Sequence, residues 1–348
     1  MRAFCTTVTA SHFPYARALA QSLRDTGNVE TLYVLVLGCT KEELPPDPLL
    51  TVISWEEVAR DSPPLMPHYF SAFEFCNAAK PFLIAHIFET LGAEKVIYLD
   101  SDLLIADRFD RIWTALDSAS MLITPHTLQP PPLSARHVSE VDIVDLGHLN
   151  GGFTAWRRGD ASRHMLAWMC ERFPVYGFYR YMGMAADQKL LPLLLVYFPQ
   201  ETRVLLSPAL NVAYWNAQER AVTQRDGRWW VGDEPVLFFH LSGYKLSHPD
   251  LACAYVSPAA NAALIASAPW LRPVMEAYRA LISPYFADHR PAPYRFTTYD
   301  GVWLNDAFRR LLFRAGKFDR TSAAFWKIWL TQQARAVKRL MTGVRPLR

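Results

Sequence analysis

Lys95-Val96-Ile97-Tyr98-Leu99-Asp100-Ser101-Asp102-Leu103-Leu104-Ile105 is the stretch from which the fold is read. Its first five residues, rich in β-branched and aromatic side chains, read as a buried strand. The strand then stops on two acids one residue apart. A carboxylate inside an apolar strand would be buried without a partner, so Asp100 and Asp102 belong just past its C-terminal end. That edge is where open α/β sheets bind ligands. Two readings of the pair stay open. As caps, the acids satisfy backbone N–H groups of a turn or helix; as two hard oxygen donors, they hold Mg²⁺ or Mn²⁺ and, through the ion, a diphosphate.

Upstream, Phe4 to Ala10 reads as a first strand, Ser11-His12-Phe13-Pro14 as a turn and Tyr15 to Arg24 as a helix with Leu19 and Leu23 on one face. Leu32 to Leu37 is a continuous apolar strand. Strand, helix and strand of these lengths form a βαβ unit with a right-handed crossover and a parallel sheet. The loop after the first strand of such a unit lines the ligand cleft, so Thr7, Thr9 and Ser11 either hydrogen-bond a nucleobase or ribose or simply form the turn. Val52 to Trp55 is a short strand and Asp61 to Pro67 a proline-rich loop. Ala72 to Leu91 holds a helix with Pro81 near its first turn and an apolar stripe of Leu83, Ile84, Ile87, Phe88 and Leu91. Lys80 then stands at a helix start facing the cleft, as a phosphate partner or a solvated lysine.

Downstream, Phe109 to Leu116 reads as a short helix and Ser120 to Thr124 as a strand. Gln129 to His148 has little periodicity and is expected as a lid or acceptor-binding loop. His126, Glu140, Asp142 and Asp145 lie in this region without an assigned role. Asn150-Gly151-Gly152 precedes an apolar strand; the paired glycines either allow a backbone to approach a ligand or make a plain turn. Asp160 caps a helix running to about Arg172. Asp187 and Gln188 either start a helix or hold sugar hydroxyls. Asn211 to Asn216 interleaves amides and aromatics, which suits carbohydrate and equally a core. Val236 to Phe239 is a strand ending on His240, with Gly243 and Lys245 close behind. An imidazole there is a satisfied core side chain or a third ligand beside Asp100 and Asp102.

Composition sets the outer limits. The 348 residues are 51% apolar and 20% charged, which is globular and excludes a disordered chain. From Trp303 to Arg348 there are eleven Lys or Arg against two Asp, a net +9, while the rest of the chain carries −6. Cys5, Cys39, Cys76, Cys170 and Cys253 are scattered without zinc-site spacing, as expected of free thiols in a reducing cytoplasm. The N-terminus lacks a signal-peptide layout, and the longest apolar run, Leu190 to Pro199, is too short to span a membrane. The expectation is a cytoplasmic protein, soluble or peripheral on the inner membrane face, with no nucleic-acid partner. Ser322 to Met341 reads as a basic amphipathic helix. Phe325, Trp326, Trp329, Leu330, Val337, Leu340 and Met341 recur at helical spacing, with Lys327, Arg335, Lys338 and Arg339 elsewhere around it. It either meets an anionic membrane surface or packs on the domain.

Four landmarks follow one another: Tyr98-Leu99-Asp100-Ser101-Asp102, Asn150-Gly151-Gly152-Phe153, Asp187-Gln188, and His240-Leu241-Ser242-Gly243-Tyr244-Lys245. In that order they resemble nucleotide-sugar-dependent glycosyltransferases of the GT-A fold, in particular the bacterial lipopolysaccharide-type enzymes of glycosyltransferase family 8. The resemblance covers about residues 1 to 250. It implies an α/β, Rossmann-like GT-A domain over 1–250, mostly parallel and flanked by helices, and leaves 251–348 as a helical extension, basic from 303. It implies transfer of a sugar from a nucleotide sugar, UDP-linked first among them, to a glycan or lipid-linked acceptor with retention, in bacterial surface glycan synthesis. Mn²⁺ or Mg²⁺ would be held by Asp100, Asp102 and His240. Asn150 and Asp187 would contact the transferring sugar, Gln188 its β face, and Lys80 and Lys245 the diphosphate. Thr7, Thr9, Ser11, Ser101 and Gly243 complete the expected nucleotide-binding set. The chain departs from the family at two points: one residue is missing before Lys245, and Leu246-Ser247 stands where the family has Pro-Trp. A nucleotidyltransferase is the rival enzyme, but Thr9 to Pro14 is not the Gly-rich basic loop it needs. A carbohydrate-binding scaffold without activity is the rival outside enzymes.

Overall fold

A computed structural model describes residues 1–59 and 61–342, with side chains described as far as residue 334 in the last helix. Seven strands form the central sheet: β1 (Arg2–Thr9), β2 (Thr31–Leu37), β3 (Leu50–Ser54), β4 (Lys95–Leu99), then, after the short β5 (Leu103–Ile105), β6 (Met121–Pro125), β7 (Leu149–Arg157) and β8 (Thr202–Val204). Their order is β3-β2-β1-β4-β7-β6-β8. β1 runs parallel to β2 and β4, and β2 to β3, as the βαβ reading of the N-terminal half requires. β7 alone is reversed, antiparallel to both β4 and β6. It enters the sheet from the opposite edge, and so carries its first residues to the C-terminal end of β4.

Both faces of the sheet are covered, which is why its strands read as continuous apolar runs rather than alternating ones. On one face the helix Ala72–Glu89 packs with Ala3, Cys5, Val96, Tyr98 and Trp156. On the other, the helix Phe13–Asp25 packs with Phe4, Val8, Ile97, Leu99 and Phe153. The helix Leu271–Ala287 belongs to a third cluster with Val212, Phe239 and Ala18. Arg309, on the helix Asp306–Ala315, donates to the carbonyls of His68, Phe70 and Phe296 and ties the C-terminal segment to the body. All five cysteines are free. Among the described residues no helix is long and apolar enough to cross a membrane.

Several local expectations shift. The helix expected with Pro81 in its first turn begins at Ala72, capped by Ser71 and Glu74 in a reciprocal capping box. Pro81 and Lys80 are therefore in its interior, and Lys80 is buried rather than at a helix start. Between Gln129 and His148 a helix, Glu140–Leu146, closes on Gly147. Asn150, Gly151 and Gly152 are not a turn before a strand; they are residues of β7 itself.

Candidate active site

The two acids end β4 at the edge where it meets two other strands. Asp100 donates its backbone N–H to the Gly152 carbonyl at 2.8 Å, continuing the β4–β7 ladder by one step. Ser101 and Asp102 make the turn into β5, which pairs antiparallel with a three-residue strand. That strand is preceded by β9 (Val212–Ala213), β10 (Val222–Arg225), β11 (Arg228–Val231) and β12 (Glu234–Pro235), and is β13 (Phe238–His240). In this register His240 lies opposite Leu103, and the Leu241 N–H donates to the Asp102 carbonyl at 2.9 Å. A ladder thus brings His240, more than a hundred residues away, beside the acid pair. One ligand atom from each of Asp100, Asp102 and His240 lies within 4.8 Å of the others, and His240 Nε2 is 3.2 Å from Asp102 Oδ1.

The His240 ring is held from behind. Its Nδ1 is 3.0 Å from Asn211 Oδ1, while Asn211 Nδ2 faces the Pro125 carbonyl at 3.5 Å. Nδ1 therefore carries a proton, which leaves Nε2 as the ring atom that faces Asp102. The edge of Trp215 packs against the same ring, 5.0 Å between centroids. Burial alone would raise the Asp102 carboxyl, but His240 outweighs it and holds Asp102 below its ordinary range.

The glycines of β7 make room for this arrangement. A Cβ on Gly152 would lie 2.6 Å from His240 Cε1 and 2.8 Å from both Asp100 Oδ2 and Asn150 Oδ1; one on Gly151 would lie 2.5 Å from Asp187 Oδ2. The close approach is thus to the chain's own carboxylates and imidazole. Lys80 reaches the same point from the helix Ala72–Glu89. Its Nζ is 3.0 Å from Asp187 Oδ2, 3.3 Å from Asp100 Oδ1 and 2.9 Å from the Gly151 carbonyl, above the Tyr98 ring. Burial would strip its proton, but Asp100 and Asp187 outweigh that and hold the pKa above that of an ordinary lysine. Tyr98 donates to Asp100 Oδ1 at 2.9 Å.

Asp100, His240, Lys80, Asn150, Asp187 and Gln188 all line one cavity of about 940 Å³. The amides among them have partners. Asn150 Nδ2 is 3.0 Å from His126 Nε2 and its Oδ1 accepts from the Gly152 N–H; Gln188 donates to the Leu146 carbonyl and accepts from the Gly151 N–H. Burial, with His240 adding to it, lowers His126 to about 4, so its ring is neutral and Nε2 accepts from Asn150.

The remaining expected residues do not line this cavity. Thr7 is buried against the Cys76 carbonyl and the Tyr98 hydroxyl, at 3.0 and 2.9 Å, and so supports Tyr98 rather than opening to a ligand. Thr9 and Ser11 bond each other and His12. Gly243 has left-handed φ and packs against Cys253 and Tyr255. Lys245 is exposed, close enough to His12 for its charge to lower that ring's pKa after burial has done so.

Do these residues fit a divalent ion? Donors sharing one cation at about 2.0–2.6 Å lie at most about 4–5 Å apart, which the trio meets. Two carboxylates and one imidazole suit Mn²⁺ or Mg²⁺ more than a thiolate-seeking metal, and glycine is the one residue whose absent Cβ leaves that space.

No protein-family model matches the chain. Two uncharacterized proteins of Bacillus subtilis (strain 168) are similar in sequence. YfnD is 26% identical over 265 residues, 70% of this chain and 78% of its own length. YfnF is 26% identical over 182 residues, 50% of this chain, and the match spans only 57% of YfnF. Among solved structures, the galactosyltransferase LgtC with donor and acceptor sugar analogs aligns over 81% of this chain and all of its own, at TM-score 0.45 and 18% identity. The glycosyltransferase GlyE of Streptococcus pneumoniae TIGR4 aligns over 85% of this chain and 66% of its own, at TM-score 0.44 and 14% identity. Mouse xyloside xylosyltransferase 1 aligns over 69% of this chain and 97% of its own, at TM-score 0.38 and 17% identity.

Proposed function

We propose that the chain is a metal-dependent glycosyltransferase, taking a sugar from a nucleotide sugar, a UDP-sugar first among the candidates, to a hydroxyl of a glycan or lipid-linked acceptor. The observation that carries this reading is the meeting of Asp100, Asp102 and His240 beside the buried Lys80–Asp187 pair, with Asp100, His240, Lys80 and Asp187 lining one large cavity. A cation on the three ligands would supply the Lewis acidity that stabilises a leaving diphosphate. The Lys80 ammonium, fixed by two carboxylates and a carbonyl, adds positive charge that needs no reorganisation as the bond to the leaving group breaks. Asp187, Asn150 and Gln188 offer oxygens and amide groups to the hydroxyls of the transferring sugar, and Tyr214 and Trp215 offer ring faces and edges. Retention follows the family resemblance. Membrane attachment is read from the helix Ala323–Thr342, where Trp326, Trp329 and Leu330 are exposed beside Lys327. The side chains of Arg335, Val337, Lys338, Arg339, Leu340 and Met341 lie outside the described residues.

The test is release of a nucleoside diphosphate from a panel of nucleotide sugars, with Mn²⁺ and with EDTA. The reading expects one donor to be hydrolysed with Mn²⁺ and none with EDTA; an inert scaffold would release nothing under either condition.

A further inference from the structure

The cavity changes character from floor to rim. At the floor, Asp100 and Asp187 are engaged with Lys80, and Glu74 with the Ser71 N–H and hydroxyl and the Tyr179 N–H. Of the two other acids that line the cavity, both exposed, Asp142 caps its own helix at Ser139 and Asp306 begins the helix that carries Arg310. At the rim stand Arg136, Arg180 and Arg310, the first two exposed and the third half-buried. None of the three makes an ion pair with any described residue. Arg180 meets Tyr179, by a side-chain hydrogen bond and with its ring at 5.4 Å, and feels the charge of Asp145, while Arg310 lies over the Tyr181 ring at 4.7 Å. They come from three separate segments of the chain, so no single charged run explains their meeting. The backbone at Arg180 is also costly: φ is 53°, the left-handed region that a non-glycine side chain avoids, and it is held by the Arg180 N–H donating to Met184 O. Strain of that kind persists where the surroundings over-determine it, and it clusters at ligand clamps. Between floor and rim, Phe73 and Tyr179 line the cavity with rings 5.3 Å apart, and Phe73 is 56% exposed.

We infer that the acceptor is an anionic sugar, one that carries a phosphate or carboxylate. Its ring rests on Phe73 and Tyr179, and its oxyanion is received by Arg180 and Arg310, with Arg136 opposite. Arginine suits this role because its planar fork donates two parallel hydrogen bonds to a phosphate or carboxylate. Against these three arginines the described lining residues set two exposed acids, Asp142, which already caps its own helix, and Asp306, so the mouth keeps positive charge for an anion to meet. The inference rests on the transferase reading for the word acceptor, while the anion site itself rests on the arginines.

Binding of glucose, glucuronic acid and glucose 6-phosphate to the full chain, measured by calorimetry, tests it. The anionic sugars should bind at least about tenfold more tightly than glucose, with the preference shrinking between low and high salt. The tighter of the two distinguishes phosphate from carboxylate. The double variant Arg180→Gln/Arg310→Gln should lose the preference, and Arg136→Gln should reduce it. Equal binding of glucose, no binding of either anion, or a preference unchanged in the double variant would overturn the site. Mn²⁺-dependent hydrolysis of nucleotide sugars by the wild-type chain, run beside it, reports separately on the transferase reading. An anion preference without hydrolysis sinks that reading alone; hydrolysis without the preference sinks only the anion site.

Discussion

Asn211 shows how a residue with no place among the ligands can still govern them. Its Oδ1 accepts a hydrogen bond from the His240 Nδ1–H, and its backbone sits at φ 53°, held by Asn216 Nδ2 donating to the Asn211 carbonyl at 2.9 Å. Loss of an outer partner of a metal-binding histidine costs about 10–100-fold in affinity. Asn211→Ala should therefore weaken Mn²⁺ binding by that factor, read by titration, with the circular dichroism of the fold retained. Undiminished affinity would remove Asn211 from this role. His126 gives a prediction in pH. Its folded pKa of about 4 lies below the unfolded value of about 6.5, so the unfolded chain binds more protons between those limits. Stability contributed by the neutral ring is full above pH 6.5 and falls as pH drops toward 4, by up to about 3 kcal/mol. In His126→Gln the denaturation midpoint should depend less on pH across that window; an unchanged slope would contradict the burial of a neutral ring. Asp100 and Asp102 were legible in the sequence because acids ending an apolar strand stand out. Asn211 and His126 were not, because a lone amide or imidazole carries no sign of what it faces.

At the scale of elements, β7 is where the sequence said least. Asn150-Gly151-Gly152 fits a turn as well as a strand, since glycine is at home in both and an isolated antiparallel strand leaves no mark in composition. The structure makes the glycines part of β7 and assigns the missing Cβ atoms to Asp187, Asp100 and His240. Gly152→Ala should accordingly push at least one of those groups aside. The expected result is loss of most Mn²⁺ binding with a thermal midpoint lowered by a few degrees; full binding in that variant would mean that the space is not needed. Pro81 misled for a related reason. Proline marks a first turn by statistics, yet the Ser71–Glu74 capping box starts the helix nine residues earlier and sets Lys80 in the buried interior. Once a helix is anchored by its cap and by packing on both sides, it tolerates the one hydrogen bond that Pro81 removes.

For the whole molecule, the mostly parallel sheet was readable from apolar runs that alternate with helical stretches, since strands covered on both faces do not alternate. The place of the C-terminal segment was not readable, because its contacts depend on tertiary packing: Arg309 grips three carbonyls of the body, and Asp306, Arg309 and Arg310 line the cavity. The exposed Trp326 and Trp329 belong to this scale too. Phe325 is buried against Leu304 and Phe308, so the helix Ala323–Thr342 is anchored at its start and its tryptophans are free to meet a surface. Trp326→Ser/Trp329→Ser should lower cosedimentation with anionic vesicles severalfold without changing thermal stability; equal cosedimentation would remove the membrane role.

The central claim is that Asp100, Asp102 and His240 together bind one divalent ion. Mn²⁺ titration followed by electron paramagnetic resonance, in the wild-type chain and in Asp102→Asn, tests it directly. One bound ion per chain in the wild type, with affinity reduced at least about a hundredfold in the variant, is the predicted result; equal Mn²⁺ binding in the two, or none in the wild type, would contradict it.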